Sequence, residues 1–278
     1  MSFYKQPLMY LCGPFALKYA LVMLGKMEDE KEIEKLAGST WWYGTDEIGL
    51  EKAANYFDCE LEEMESTGNV HDIIRTLNST LRKNLPVILC VDKWGHWITV
   101  VKHENNKYIC VDSGERRVII ILSESELLRR WKYIDNKIPT YSGYILKPWY
   151  KTRTKARINI DVAKELMSLK YADLALKWDA YFNVLVEVTR DRIPISEFTI
   201  TFKEFLRRNQ KRIVELVADW HGDVEYKELD NIFNNFLFVA NVYDMIIHLD
   251  DEQIALITFT SVLMMYATEI NRNYSADL

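Results

Sequence analysis

The chain has 278 residues, 49% hydrophobic and 27% charged, which suffices for one or two domains with cores of their own. A formal net charge of -6 argues against nucleic acid as the main partner, because phosphate binding needs a basic face. The four cysteines, Cys12, Cys59, Cys90 and Cys110, are too few and too scattered for a disulfide framework, and no C-x-x-C pair suggests zinc.

Residues 13–25 carry Phe15, Leu17, Ala20, Leu21 and Leu24 at helical spacing, with Gly25 as the stop. MEDEKEIEKLAG, 27–38, predicts a second short helix ending at Gly38. In GTDEIGLEKAANYF a third helix is expected, with Thr45 as N-cap and acids in its first turn. CELEEMEST reads as a strand, and Asn69 caps a helix bearing Ile73, Ile74, Leu77 and Leu81. The period then shortens. Residues 86–92, 96–103, 107–112 and 116–122 are β-branched runs of strand length, the last three joined at Asn105-Asn106 and Ser113-Gly114 as an antiparallel meander. SESELLRRWKY adds a helix, and 141–149 a closing strand that Pro148 ends.

YKTRTKAR, 150–157, reads as a solvated linker. From about residue 158 the strands give out and a helical bundle is expected, with stops at Pro194 and Gly222, a helix running from Tyr226 to beyond Ile247, and a last helix after Asp250-Asp251-Glu252. The expected class is α+β for 1–150, followed by an all-α domain for 151–278. Met1 to Lys5 show no basic segment leading into an apolar run, so no secretory signal is predicted. IALITFTSVLMMYA, 254–267, is too short to span a bilayer. The expectation is a cytoplasmic protein with reduced thiols and no membrane span.

Cys12 stands at the mouth of the first helix. A thiol there is either a small buried hydrophobe or a nucleophile whose charge the helix end favours. A nucleophile needs a base, and the five histidines differ in what explains them. His71 sits in a helix first turn, His103 at a strand end, His221 before a helix-ending glycine, and His248 in a last helical turn, where a cation suits the dipole. His96 opens a strand straight after a loop. Asp112 ends the next strand of the meander, and in an antiparallel hairpin those two positions share a rim. An imidazole–carboxylate hydrogen bond there would fix the tautomer and favour the imidazolium. The Gln6 amide and the Cys12 backbone N–H would together form an oxyanion hole.

Glutamine six residues before Cys-Gly, a Gly-His-aromatic strand opening, and an aspartate one hairpin later resemble the papain-like superfamily. Within it, GTDEIGLEKAANYF and LPVILCVD…GHWITVVKHENNKYICVD are similar to the bacteriocin-processing, double-glycine-leader endopeptidases, over about residues 4–147. Ser113 stands where that family usually has proline. The resemblance implies Cys12 as nucleophile, His96 as general base and then acid, Asp112 as its orienter and Gln6 as oxyanion donor. It implies a peptide or protein substrate and no cofactor.

The expected function is thus a cysteine hydrolase acting on a peptide or isopeptide amide. An acyltransferase using the same thioester, or a catalytically silent binding module, stays open. Trp94, Trp97, Trp42 and Gly95 are candidates to line substrate subsites, with packing at the sheet edge as the alternative for the tryptophans. No metal ligands are expected. The helical half is a candidate for partner binding or homo-oligomerisation.

Overall fold

The computed structural model describes residues 2–152, 154–189, 196–221 and 226–275. The chain divides into two compact units, Met1–Lys177 and Trp178–Leu278.

The first unit is a mixed α+β body. Cys12–Met23 form α1, entered through a single 3-10 turn at Met9–Leu11. All its residues are buried, including Lys18, so the expected one-sided stripe becomes a helix packed all round. Lys18 pairs with Glu30 at 2.5 Å, and the Tyr4 hydroxyl donates to the same carboxylate, tying the N-terminal segment and α2 (Glu30–Ala37) to α1. Helix α1 closes at Leu24, and Gly25 follows in the left-handed region. The third helix, α3 (Glu47–Tyr56), is capped by Asp46 rather than by Thr45. The Asp46 carboxylate reaches the Gly49 N–H at 2.8 Å, while the Thr45 hydroxyl is engaged with Ser39.

Next come β1 (Cys59–Thr67), α4 (Val70–Arg82), β2 (Val87–Val91), β3 (His96–Glu104), β4 (Lys107–Val111), β5 (Ile119–Ser123), α5 (Glu124–Trp131), β6 (Tyr133–Asp135) and β7 (Ile138–Pro148). They build one antiparallel sheet of order β1-β7-β2-β3-β4-β5, with β6 paired to β7. The meander is β3-β4-β5, and its first turn, Asn105-Asn106, has both residues at positive φ, as a tight hairpin requires. The last strand does not close the sheet at an edge. It inserts between β1 and β2, a pairing between segments distant in sequence.

Both faces of the sheet are covered, which explains why β2 reads as an unbroken apolar run. Ile88, Cys90 and Trp97 face Ala16, Leu17, Ala20 and Leu50 of α1 and α3. Val87, Leu89, Val91, Ile98 and Cys110 face Ile73, Leu77 and Leu81 of α4 and Leu127 and Trp131 of α5. Each fully buried aliphatic side chain contributes about 1.5–3 kcal/mol by leaving water.

Residues after 150 begin in this same unit. Ala156 N donates to Met23 O, and Ile160 N, at the start of α6 (Ile160–Leu166), donates to Glu104. A 3-10 turn and α7 (Ala172–Leu176) follow, and the Phe3 N–H donates to Ala175 O.

The second unit packs α8 (Trp178–Val188), α9 (Phe202–His221), α10 (Tyr226–Val242) and α11 (Glu252–Ser275) around Phe202, Phe205, Phe236 and Phe259. Two expectations fail here. Strands do not give out: β8 (Thr199–Thr201) pairs with β9 (Ile246–His248). The helix meant to run past Ile247 stops at Val242, where Asp244 turns into the left-handed region and Met245 N folds back onto Ala240 O. His248 therefore lies on a strand, and its Nδ1 accepts from the Asp250 N–H instead of answering a helix dipole. Pro194 and Gly222 lie outside the described residues. Among the described residues no helix is long and apolar enough to cross a membrane.

Candidate active site

Cys12 is the first residue of α1, and two contacts fix that helix end relative to the sheet. Thr99, inside β3, donates its hydroxyl to Ala16 O at 2.6 Å. Gly13 lies so close to Thr45 that a β-carbon there would stand 2.6 Å from Thr45 Cβ. Thr45 is itself held by the Trp97 indole N–H, which donates to its carbonyl at 2.9 Å. The helix bearing the thiol and the strand bearing His96 are therefore pinned to one another in the same buried layer.

At the rim, His96 Nε2 meets Asp112 Oδ1 at 2.6 Å. The Cys12 side chain also acts on this ring and favours its charged form. Burial disfavours the imidazolium, but hydrogen bonds and charge from Asp112 and then Cys12 outweigh it and raise His96 from 6.5 to about 9. Asp112 is 1% exposed. Burial pushes its pKa up, yet His96, the Gly114 N–H and Arg130 together hold it below the usual carboxylate range. Oδ1 accepts from Gly114 N at 2.9 Å, and Oδ2 accepts from Arg130 Nη1 at 2.8 Å. A β-carbon on Gly114 would sit 3.2 Å from both Asp112 Oδ1 and His96 Nε2, so a side chain there would push the pair by a few tenths of an ångström.

Burial pushes Cys59 to about 11 and Cys90 to about 12, and raises Cys110 as well. All four cysteines are free and buried, Cys12 being 6% exposed.

Gln6 lies next to Asp112 through the following residue: its N–H donates to Ser113 O at 2.9 Å, and the Ser113 hydroxyl donates to its Oε1. Its Nε2 donates to Leu8 O at 2.9 Å and to Met9 O at 2.8 Å, so both amide hydrogens are engaged within the loop that leads into α1.

The tryptophans part company. Trp97 is 8% exposed and packed in the core against Tyr144, so its side chain belongs to the wall that holds α1. Trp42 is exposed and stacked on Trp41 in the loop before α3. Trp94 and Gly95 lie in the β2–β3 turn immediately before His96, with Trp94 half-exposed and stacked on Tyr133. Arg130, Gly114 and Ser113 escape sequence reading. Arg130 sits in a run that reads only as a helix, and the fold turns it toward Asp112. Among the described residues, no group of three or more His, Cys, Asp or Glu is placed to hold a metal ion.

No protein-family model matches the chain, and no curated protein matches it. Among solved structures it is similar to the peptidase domain of Streptococcus ComA, a bi-functional ABC transporter involved in a quorum-sensing pathway. That similarity has a TM-score of 0.41 and 19% identity, over 53% of this chain and 98% of that one. It is also similar to a double-glycine-motif protease from an AMS/PCAT transporter in complex with the leader peptide, with a TM-score of 0.37 and 14% identity over 51% and 90% of the two chains. A C39-like peptidase from Bacillus anthracis matches with a TM-score of 0.37 and 12% identity, over 51% and 92%.

Proposed function

We propose that the first unit is a papain-like cysteine peptidase acting on an amide bond of a peptide or protein. The observation that carries this reading is the His96–Asp112 contact, at a rim where Asp112 and then Cys12 favour an imidazolium that burial alone would keep neutral. Such an imidazolium stabilises a thiolate at a helix N-terminus, which is the nucleophile this chemistry needs.

The proposed steps follow from that pair. The Cys12 sulfur attacks the amide carbon and a C–S bond forms. His96 gives its proton to the leaving amine as the C–N bond breaks, and the acyl group is left as a thioester. Neutral His96 then takes a proton from water, whose oxygen attacks the thioester and releases the acid and the thiol. Asp112 keeps the imidazole in one orientation throughout. The oxyanion donors are the Cys12 N–H and the Gln6 amide, and Gln6 joins in by releasing the Leu8 or Met9 carbonyl when substrate arrives.

Those same Gln6 contacts favour a second reading, a silent binding module in which the amide stays tied to its own loop. Incubating the full chain with a mixed peptide library, with and without an added amine, and analysing products by mass spectrometry separates the readings. New carboxyl termini that vanish with Cys12→Ala support the hydrolase. Amine-capped termini assign an acyltransferase, and an unchanged library supports the silent module.

A further inference from the structure

We infer that Arg130 is a positioning residue that fixes the Asp112 carboxylate against His96 and locks it to the turn bearing Trp94 and Gly95. The inference rests on the Cys12–His96–Asp112 reading and extends it to a residue on another element, α5.

A carboxylate held at one oxygen pivots about that contact. Asp112 has Oδ1 on His96 and the Gly114 N–H, and among the described residues only Arg130 grips the second oxygen, at 2.8 Å. The rest of the guanidinium is spent on Asp92: Nε lies 3.1 and 3.2 Å from its two oxygens, and Nη2 lies 2.6 Å from Oδ2. The backbone repeats the link, with Asp92 N donating to Arg130 O at 2.7 Å. The arginine side chain is 19% exposed and Asp112 1%, so the arm on Asp112 works largely out of water, while the arm on Asp92, 45% exposed, meets solvent.

The turn it holds is strained. Asp92, Lys93 and Trp94 have φ of 55, 62 and 63° in succession, none of them glycine. The left-handed region is sterically unfavourable for residues other than glycine, so such a run persists only where its surroundings determine it. The same stretch of chain supplies the other restraint, since Tyr133, in β6 just beyond Arg130, stacks on Trp94 with centroids 4.3 Å apart. The geometry of His96, Asp112 and the turn at the mouth of the site is thus set from one segment, Arg130 to Tyr133. A lysine would not replace the arginine, because a single ammonium lacks the planar fork that spans two carboxylates.

The test is the titration of the His96 ring in the full chain by long-range proton–nitrogen NMR, assigned with His96→Gln. The charged groups around the ring are Asp112, Cys12 and Arg130, with Asp92 behind the arginine. Removing a nearby cation by itself raises an imidazole pKa, whereas loosening Asp112 lowers it, so the sign decides. The expected result is a fall of about one pH unit or more in Arg130→Gln and again in Arg130→Lys, with a smaller fall in Asp92→Asn. A rise or no change in Arg130→Gln overturns the inference, as does a wild-type value in Arg130→Lys. No change in Asp92→Asn overturns the coupling to the turn. If circular dichroism shows Arg130→Gln unfolded, Arg130→Lys alone carries the decision. A wild-type His96 titrating near 6.5 would instead contradict the peptidase reading itself.

Discussion

The histidine makes a prediction about stability that needs no substrate. Its pKa of about 9, against 6.5 unperturbed, corresponds to about 3 kcal/mol of extra stabilisation of the imidazolium in the fold. Part of that comes from Cys12, so both proteins compared carry Cys12→Ala. Asp112 stands ahead of Cys12 among the causes, and about 2 kcal/mol is expected to remain. The side chain is only 17% exposed, so solvent screening removes little of it. A group whose folded pKa is raised stabilises fully below its unfolded pKa and loses that contribution as pH rises through the folded one. Urea melts of Cys12→Ala and of Cys12→Ala with His96→Gln should therefore differ by a constant amount below about pH 6. That difference should shrink by about 2 kcal/mol between pH 6.5 and 9. A pH-independent difference would refute the reasoning. A difference that grows with pH would mean a buried neutral histidine, the opposite electrostatics.

Two further outcomes concern the scaffold. Lys18→Met leaves Glu30 without its cation and should cost about 3–5 kcal/mol, partly recovered by adding Glu30→Gln, as read from urea midpoints. Burial works against the Glu30 carboxylate, but Lys18 and Tyr4 hold it at about 2, so wild type should lose stability as pH falls from 4.5 toward 2 and Lys18→Met should lose less. Gly49→Ala would place a β-carbon 2.2 Å from Ala37 O, a backbone atom that cannot swing aside, and should cost about 1–3 kcal/mol where α2 meets α3.

Much of the site was legible because it depends on local rules. Strand-length runs with a two-residue asparagine turn placed β3 and β4 side by side, and hairpin geometry brought His96 to Asp112. Helix boundaries marked by Gly38 and Asn69 held because capping is local chemistry. What stayed hidden depends on segments far apart in sequence. The insertion of β7 between β1 and β2, the reach of Arg130 from α5 and the packing of α6 and α7 in the first unit leave no periodic trace. The direction of the Gln6 amide was equally unreadable, since two carbonyls two and three residues along compete for its hydrogens. In the second unit, the apolar spacing of Tyr243 and Ile247 continued through a helix end, because a buried strand and a buried helix ask for the same residues.

His96 is expected to activate Cys12. The most direct measurement is the alkylation rate of each cysteine against pH by mass spectrometry, in wild type and in His96→Ala. Cys12 alone should react fast at pH 6, where an ordinary thiol with a pKa of about 8.5 is almost wholly protonated. His96→Ala should slow Cys12 about tenfold or more while leaving Cys59, Cys90 and Cys110 unchanged. A Cys12 that reacts no faster than an ordinary thiol, or equally fast without His96, would contradict that activation.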